Sequence, residues 1–176
     1  RPGGAANVAR NCAALGARTQ LLSVVGRDEA GHKLARLVAK SGVEANLLRD
    51  ASIRTTVKLR VIGRQQQLLR IDFETAPSRE VLASKLADFE AALPKCNAVV
   101  LSDYGKGGLA HIVTMIARAR AAARPVLVDP KGEDWAKYRG ATVITPNRGE
   151  FRQVVGRWRD ARDMAAKAER LRAELD

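Results

Sequence analysis

The sequence predicts an α/β fold in which a mainly parallel central sheet carries a small β hairpin, or flap, as an insertion. Two observations lead to this fold class. Short strands alternate with helices along most of the 176 residues, and each strand is a continuous apolar run, which is typical of a parallel sheet covered on both faces. The pattern changes over residues 43–74, where 56–62 and 67–73 alternate apolar and polar side chains, which indicates a hairpin with one solvent-exposed face. We therefore expect the flap insertion at about 43–74.

Each element has its own signal in the sequence. Apolar residues at helical spacing predict helix 7–15, which Gly16 ends, and an apolar run predicts strand 19–25. Asp28 is the predicted N-cap of the next helix, which ends at Ser41-Gly42. After it we predict, in chain order, hairpin strands 56–62 and 67–73 joined by a turn at Gly63-Arg64, helix 80–93, strand 98–102, helix 109–122, strand 125–129, a short helix near Asp134, strand 142–145 and helices from Arg148 onward.

The chain is basic, with 31 Lys and Arg against 19 Asp and Glu, which raises the possibility of nucleic-acid binding. Aromatic residues make up only 4% of the sequence, and the basic residues are spread along the chain with acidic residues between them. A nucleic-acid binder would instead gather them on one face beside stacking aromatics. We expect no nucleic-acid partner, and we attribute the charge to solubility and to anionic substrates.

The apolar runs are a few residues long, far short of the roughly 20 that a membrane-spanning helix needs. We expect no membrane partner and a cytoplasmic location. Arg1 is not an initiator residue, and the helical pattern of 164–176 continues to the last residue without a stop signal. The sequence is therefore expected to be a piece of a longer chain.

Polar segments follow three successive predicted strands, at 102–108, 129–132 and 146–150. In an open parallel sheet, ligands bind beyond the carboxyl ends of the strands. Glycines in these segments allow close approach of a phosphate, and free N–H groups at the following helix N-termini would attract it. Lys106 and Lys131 add point charges suited to phosphoryl oxygens. These segments predict a site for an anionic ligand.

Asn147 and Glu150 fall in the first turn of one predicted helix. A carboxylate in this position can hold Mg²⁺ directly or through water, while the metal bridges nucleotide phosphates. Alternatively, Asn147 is an N-cap and Glu150 closes a capping box. The sequence alone leaves both interpretations open.

Two common nucleotide motifs can be tested. A P-loop is excluded because Gly107, and not Ser or Thr, follows Lys106. The spacing Gly105-x-Gly107-x-x-Ala110 does match a dinucleotide-binding fingerprint, since Asp129 ends the next strand about 20 residues later. A dinucleotide-binding oxidoreductase that uses residues 105–110 is therefore an alternative function.

The segment Pro2-Gly3-Gly4-Ala5-Ala6-Asn7, the flap and Asn147-x-x-Glu150 together resemble the ribokinase-like (PfkB) carbohydrate kinases. Segments 56–60, 65–74, 101–107, 129–132 and 138–142 resemble more closely the D-glycero-β-D-manno-heptose-7-phosphate kinases, which serve synthesis of the lipopolysaccharide core. The resemblance implies a ribokinase-like three-layer sandwich and use of ATP with Mg²⁺. It implies phosphorylation of heptose 7-phosphate at O1 to the 1,7-bisphosphate, with another PfkB-type sugar kinase as the alternative.

The resemblance also implies site residues and partners. On the substrate side it implies Gly3, Gly4, Asn7, Asp103 and Lys106, with the flap residues Lys58, Arg60, Gln66 and Arg70 as candidates for the sugar or its 7-phosphate. On the nucleotide side it implies Lys131, Asn147, Arg148, Gly149 and Glu150, with Glu150 at the metal directly or through water. The implied partners are the sugar phosphate, ATP and a second copy bound through the flap. The polar residues of the flap also have a simpler explanation, because a hairpin of this kind has one polar face.

The sequence departs from the family pattern in two places. The family's catalytic base is an Asp in a Gly-Ala-Gly-Asp segment, and no such tetrapeptide occurs in these residues. The family's first strand would precede Arg1. We therefore expect residues 1–176 to be a partial sugar-kinase domain that does not turn over by itself.

Overall fold

The computed structural model describes all residues from Arg1 to Asp176. The chain divides into two compact units. The N-terminal unit comprises Arg1–Lys85 with Lys106–Gly108, and the C-terminal unit comprises Leu86–Gly105 with Leu109–Asp176. None of the helices is long and apolar enough to span a membrane.

The elements follow the predicted order closely. They are α1 (Gly4–Ala14), β1 (Gln20–Gly26), α2 (Glu29–Ala39), β2 (Glu44–Asp50), β3 (Val57–Gly63), β4 (Gln66–Phe73), α3 (Arg79–Ala92), a 3-10 turn (Leu93–Lys95), β5 (Val99–Ser102), α4 (Ile112–Ala121), β6 (Val126–Asp129), a 3-10 turn (Ala136–Tyr138), β7 (Val143–Ile144), α5 (Arg148–Val155) and α6 (Ala161–Leu175).

In the N-terminal unit, β1 and β2 pair in parallel and bury a small core against α1 and α2. The buried members of this core are Ala6, Ala9, Leu21, Val38 and Val43. Residues 44–50, which the sequence analysis includes in the flap, form β2 and pair with β1 along their whole length. This pairing joins segments more than 20 residues apart, and the alternation in 56–62 and 67–73 carries no signal for it. The flap therefore consists of β3 and β4 alone.

The flap is an antiparallel hairpin with an irregularity between Val61 and Ile62. Its turn lies at Arg64-Gln65, one residue later than predicted, and both residues have positive φ (46° and 68°). Two positive φ values match the twist of the flanking strands, although such turns usually use Asn or Gly. The prediction of one solvent-exposed face understates the exposure, since nearly every flap residue is exposed.

Two aspartates hold the two ends of the flap. Asp28, the N-cap of α2, accepts the N–H (2.8 Å) and the hydroxyl (2.6 Å) of Thr55, which precedes β3. The Thr55 hydroxyl oxygen also accepts the Gly26 N–H at 2.8 Å. Asp50 accepts the hydroxyl of Ser52 at 2.6 Å and the N–H of Ser78, which follows β4, at 3.4 Å. These contacts anchor the flap to the body of the N-terminal unit.

In the C-terminal unit, β5, β6 and β7 form a parallel sheet in that order. One face of this sheet and the inner side of α4 supply most of the core, with the buried residues Val99, Leu101, Val126, Val128, Ile112, Met115, Ile116, Ala119 and Tyr138. On the other face, Val100 and Val143 remain 47% and 44% exposed. The carboxyl ends of the three strands lie at one edge of this sheet because the strands are parallel.

Candidate active site

The candidate active site of the C-terminal unit is built on these strand ends. Asp103 follows β5 directly, Asp129 is the last residue of β6, and Asn147 is the N-cap of α5 after β7. A Cβ atom placed on Gly105 would lie 3.5 Å from Lys131 Cγ, so the segment after β5 lies against the segment after β6. The structure thus places Gly105 against the segment after β6, and the contact of Lys131 with Glu150 connects that segment to the one after β7.

Asp103 is only 8% exposed, and hydrogen bonds occupy both carboxylate oxygens. Oδ1 accepts the Gly105 N–H at 2.8 Å, and Oδ2 accepts Lys137 Nζ at 2.8 Å and the Tyr138 hydroxyl at 2.7 Å. Burial alone would raise the pKa of Asp103, but these hydrogen bonds outweigh it and hold the pKa below its usual value. Asp103 is therefore ionised at neutral pH.

Lys131 links the segment after β6 to α5. Its Nζ donates to Glu150 Oε1 at 3.1 Å, and its main-chain N–H donates to the Tyr138 hydroxyl at 2.9 Å. The Lys131 side chain is half exposed, whereas that of Glu150 is 11% exposed. A cation with an accessible head near the strand ends suits an anionic ligand.

Asn147 and Glu150 form a complete capping box. Asn147 Oδ1 accepts the N–H groups of Gly149 (2.8 Å) and Glu150 (3.0 Å), and Glu150 Oε2 accepts the Asn147 N–H at 3.0 Å. The capping alternative is therefore correct as local geometry. The expected free N–H groups of α5 are partly occupied, because Asn147 itself takes two of them. Arg148 is exposed and forms no ion pair.

Asp129, the first residue of the predicted polar segment 129–132, also lies at this edge of the sheet. Burial, and next the negative charges of Glu150 and Asp103, raise the pKa of Asp129, while Lys131 lowers it. No group of three or more acidic, His or Cys side chains could hold a metal by itself. Oxygen ligands are nevertheless what Mg²⁺ prefers, and it commonly binds one or two carboxylates together with phosphates and water. Asp129 and Glu150 fit that kind of site.

The predicted sugar-side residues of α1 are accessible. Gly3 and Gly4 lie at the exposed start of the helix, and Asn7 is exposed one turn later. A Cβ on Gly3 would meet no atom within 4 Å, so a ligand can approach the main chain there. Gly4 has a φ of +52°, a conformation that glycine adopts at little cost.

The predicted flap residues lie on its charged side. Lys58 contacts Asp72 at 2.7 Å, and Arg70 Nε lies 3.2 Å from the same carboxylate. The hydrogen bond from Lys58 is the main cause that lowers the pKa of Asp72. Arg60 stands directly opposite Arg70 and has no ion-pair partner. The remaining flap candidate, Gln66, is exposed beside the turn.

Lys106 belongs to the N-terminal unit, where it forms an ion pair with Glu74, the residue that follows β4 of the flap. Lys131, the other lysine predicted to contact phosphoryl oxygens, belongs to the C-terminal unit.

The predicted dinucleotide fingerprint lies in a loop. Gly105 and Gly107 have positive φ, and residues 105–110 form a loop that ends before α4 begins at Ile112. A dinucleotide fingerprint would open the helix directly, because the pyrophosphate binds at its N-terminus. The oxidoreductase alternative is thus not supported.

Tyr138 and Lys137 are site residues that sequence reasoning missed. Both contact Asp103, which is more than 30 residues earlier in the chain. The available signal is that Tyr138 is the first residue of segment 138–142, which carries the family resemblance, and that Lys137 directly precedes it.

Comparisons with known proteins identify the family of the chain. The family model described as "pfkB family carbohydrate kinase" matches residues 1–175. D-beta-D-heptose 7-phosphate kinase of Bordetella bronchiseptica is 52% identical over all 176 residues, which cover 56% of that protein. The bifunctional protein HldE of Pseudomonas aeruginosa is 53% identical over the whole chain, which covers 37% of that protein. The chain thus spans between one third and just over half the length of these relatives.

Solved structures match over almost the whole chain. The tetrameric inhibited form of phosphofructokinase-2 from Escherichia coli has a TM-score of 0.76 at 20% identity, over 98% of this chain and 59% of its own. Arabidopsis thaliana ribokinase complexed with ribose and ATP has a TM-score of 0.76 at 16% identity, over 98% of this chain and 57% of its own. At these identities the likeness concerns the fold, and it confirms the predicted ribokinase-like α/β class. From the family match and the identity over all 176 residues, we conclude that the chain belongs to the pfkB family of carbohydrate kinases.

Proposed function

We propose that the protein containing this chain transfers a phosphoryl group from ATP to O1 of D-glycero-β-D-manno-heptose 7-phosphate, which gives the 1,7-bisphosphate for lipopolysaccharide core synthesis. The observation that carries the proposal is the 52% identity, over the whole chain, to a protein named as a heptose 7-phosphate kinase. The cluster of Asp103, Lys131 and Glu150 at the strand ends supports it. Since ATP is abundant there, the cytoplasm is the proposed location.

The proposed nucleotide side consists of Lys131 and residues 147–150. Phosphoryl transfer relies mainly on positioning and on stabilisation of charge. Lys131 Nζ, now 3.1 Å from Glu150, is free to contact phosphate oxygens because half of its side chain is exposed. Arg148 offers a second, unpaired positive charge at the start of α5. When Mg²⁺ is bound, it supplies charge neutralisation between phosphates, and Glu150 with Asp129 would hold it directly or through water.

The proposed sugar side uses α1 and the flap of the N-terminal unit. Gly3, Gly4 and Asn7 present an open main chain and an amide to sugar hydroxyls. On the flap, Arg60 and Arg70 stand opposite each other, and like charges in that arrangement destabilise a hairpin. An anion between the two guanidinium groups would remove this repulsion. The 7-phosphate is the proposed anion. Further candidate contacts to the sugar or its phosphate are Lys58, Gln66 and Lys106. Asp103 is a candidate acceptor of a hydrogen bond from a sugar hydroxyl.

The opposite face of the flap supports the proposed dimer. The register places six apolar side chains on this face, and all are between 36% and 53% exposed: Val57, Leu59, Val61, Leu69, Ile71 and Phe73. A contiguous apolar face of this kind marks an interaction surface. The proposed occupant is the same face of a second copy, because two identical apolar faces are complementary to each other.

The catalytic base is proposed to lie outside these residues, in the Gly-Ala-Gly-Asp segment that the family resemblance implies. No carboxylate described above is assigned this role. The chain's own residues would bind and orient the two substrates.

The test is an ADP-release assay on the full-length protein that contains this chain, with heptose 7-phosphate, fructose 6-phosphate and ribose as acceptors. Of the three acceptors, we expect turnover only with heptose 7-phosphate. The product should show a new phosphate ester at C1 by ³¹P NMR. Turnover with fructose 6-phosphate or ribose but not with heptose 7-phosphate would favour another pfkB-type kinase. Thermal stabilisation by NAD but not by Mg-ATP would contradict a kinase altogether.

A further inference from the structure

Tyr138 is fully buried, yet its hydroxyl has three polar partners. It donates to Asp103 Oδ2 at 2.7 Å, lies 3.0 Å from the carbonyl oxygen of Lys131, and accepts the N–H of Lys131 at 2.9 Å. A hydroxyl has one proton, and the ionised carboxylate is both its nearest and its strongest acceptor here. The Tyr138 hydroxyl therefore joins the segment after β5 to the segment after β6.

From Lys131 the connection continues to α5. Lys131, whose main chain contacts Tyr138, donates a hydrogen bond from Nζ to Glu150 Oε1. Glu150 Oε2 in turn accepts the Asn147 N–H. A continuous series of hydrogen bonds thus runs from Asp103 through Tyr138, Lys131 and Glu150 to Asn147. It crosses the carboxyl ends of all three strands of this sheet.

We propose that Tyr138 is a positioning residue of the nucleotide side, whose hydroxyl fixes the Lys131 main chain against Asp103 and thereby sets Lys131 Nζ and Glu150 for the phosphates of Mg-ATP. The proposal rests on the proposed kinase function and adds to it a residue that contacts no substrate. Lys137 assists Tyr138, since its Nζ donates to the same Asp103 oxygen at 2.8 Å and lies 4.8 Å from the centre of the Tyr138 ring.

The arrangement is more specific than a buried tyrosine that merely satisfies its hydroxyl. A carboxylate accepts about four hydrogen bonds. Gly105, Lys137 and Tyr138 use three of these positions on Asp103, which leaves one open for a sugar hydroxyl. Removal of the Tyr138 hydroxyl would unpair the Lys131 N–H and take one donor from Asp103, and it would leave the aromatic ring in the core.

The experiment compares Tyr138→Phe with Thr142→Val in the full-length protein. The control is matched because the Thr142 hydroxyl also accepts a main-chain N–H, that of Val126 at 2.9 Å, and contacts none of the residues in the series. Binding of Mg-AMP-PNP is measured by calorimetry without a sugar, together with KM and kcat. For Tyr138→Phe we expect Kd and the KM for ATP to rise about 3- to 10-fold, the effect of one lost hydrogen bond. For Thr142→Val we expect both constants to remain at the wild-type value.

Hydrogen exchange of the nucleotide-free protein provides a readout that needs no activity. In Tyr138→Phe the Lys131 amide is expected to exchange faster, with no change at Val126, and Thr142→Val should show the reverse.

Equal Kd, KM and Lys131 exchange in Tyr138→Phe and wild type would overturn the proposal, even if the melting temperature fell. If Tyr138→Phe does not fold, Lys137→Met decides: an unchanged KM for ATP overturns the proposal, and a rise at an unchanged melting temperature supports it. Failure of the wild type to bind Mg-AMP-PNP would instead contradict the proposed function.

Discussion

Glu150 joins two neighbouring residues of the candidate site through separate oxygens: Oε1 accepts Lys131 Nζ at 3.1 Å and Oε2 accepts the Asn147 N–H at 3.0 Å. The second contact needs only an oxygen atom, whereas the first is an ion pair and needs a negative charge. The two proposed roles of Glu150, helix capping and charge placement near a nucleotide, can therefore be separated by a single substitution.

Glu150→Gln in the full-length protein keeps an oxygen for the capping contact and removes the charge. We expect the melting temperature to change little and the KM for Mg-ATP to rise about 10-fold, since hydrogen bonds to charged groups are the stronger class. Asn147→Ala should in addition lower the free energy of unfolding by about 1 kcal/mol, because it removes the cap. Gln153→Ala, an exposed change on the same helix, is the control. Wild-type kinetics for Glu150→Gln would leave only the capping role.

Thr55→Val is expected to destabilise the N-terminal unit by about 1–3 kcal/mol at pH 7, because it leaves the buried Gly26 N–H without an acceptor and takes a donor from Asp28. Urea unfolding measures this change, and Thr19→Val, which removes an exposed hydroxyl contact, should have a much smaller effect.

The same substitution should alter the acid dependence of stability. The Thr55 hydroxyl is the main cause that lowers the pKa of Asp28 below 3.8. A carboxyl group whose pKa is lower in the folded state stabilises the fold above its unfolded pKa, and this contribution disappears as the pH falls through the folded value. Between about pH 5 and about pH 2 the wild type should therefore lose more stability than Thr55→Val. Parallel losses in the two proteins would contradict the assignment.

Asp129→Asn is expected to raise the melting temperature of the ligand-free protein at neutral pH. Burial and the charge of Glu150 raise the pKa of Asp129, so its ionised form costs stability at every pH above its unfolded pKa of 3.8. The gain should shrink as the pH falls through the raised folded pKa and become small at about pH 3, below the unfolded pKa of 3.8, where Asp129 is mostly protonated in both states. Differential scanning calorimetry at both pH values tests this, and a gain that does not depend on pH would point to another cause.

Leu59→Glu is expected to dissociate the proposed dimer by placing a charge at the centre of the apolar face of the flap. Arg60→Glu makes a larger change of charge on the opposite face and should leave the dimer intact. Light scattering after gel filtration of the full-length protein gives the mass of each variant. A dimer that survives Leu59→Glu would exclude this face as the interface.

The chain of residues 1–176 is expected to release no ADP above background, because the proposed base lies outside it. Circular dichroism must first establish that the chain is folded. Turnover comparable to that of the full-length protein would contradict the placement of the base.

Local signals in the sequence predicted most of the elements. The Asp28 cap is confirmed, since its carboxylate accepts the Gly31 N–H at 2.8 Å. The predicted hairpin strands lie within one residue of the observed ones, because alternation over seven or eight residues is a strong signal. The capping box at Asn147 was recognised as an alternative for the same reason, because its partners are three residues apart.

Non-local contacts could not be predicted in this way. β2 is defined by its pairing with β1, and Tyr138 by contacts with residues 7 and 35 positions away. The separation of Lys106 from Lys131 likewise depends on the ion pair that Lys106 makes with Glu74, 32 residues earlier. Spacing alone carries no information on these partners.

Asp28 and Asp50 secure opposite ends of the flap independently, one before β3 and one after β4. A hairpin tethered at one strand could swivel about that point and sample many orientations. Because both strands are fixed at their base, the accessible motion is bending of the two-stranded ribbon along its length. The direction in which the charged side of the flap faces is consequently determined in the ligand-free protein, which would lower the entropy lost on binding of the proposed sugar phosphate.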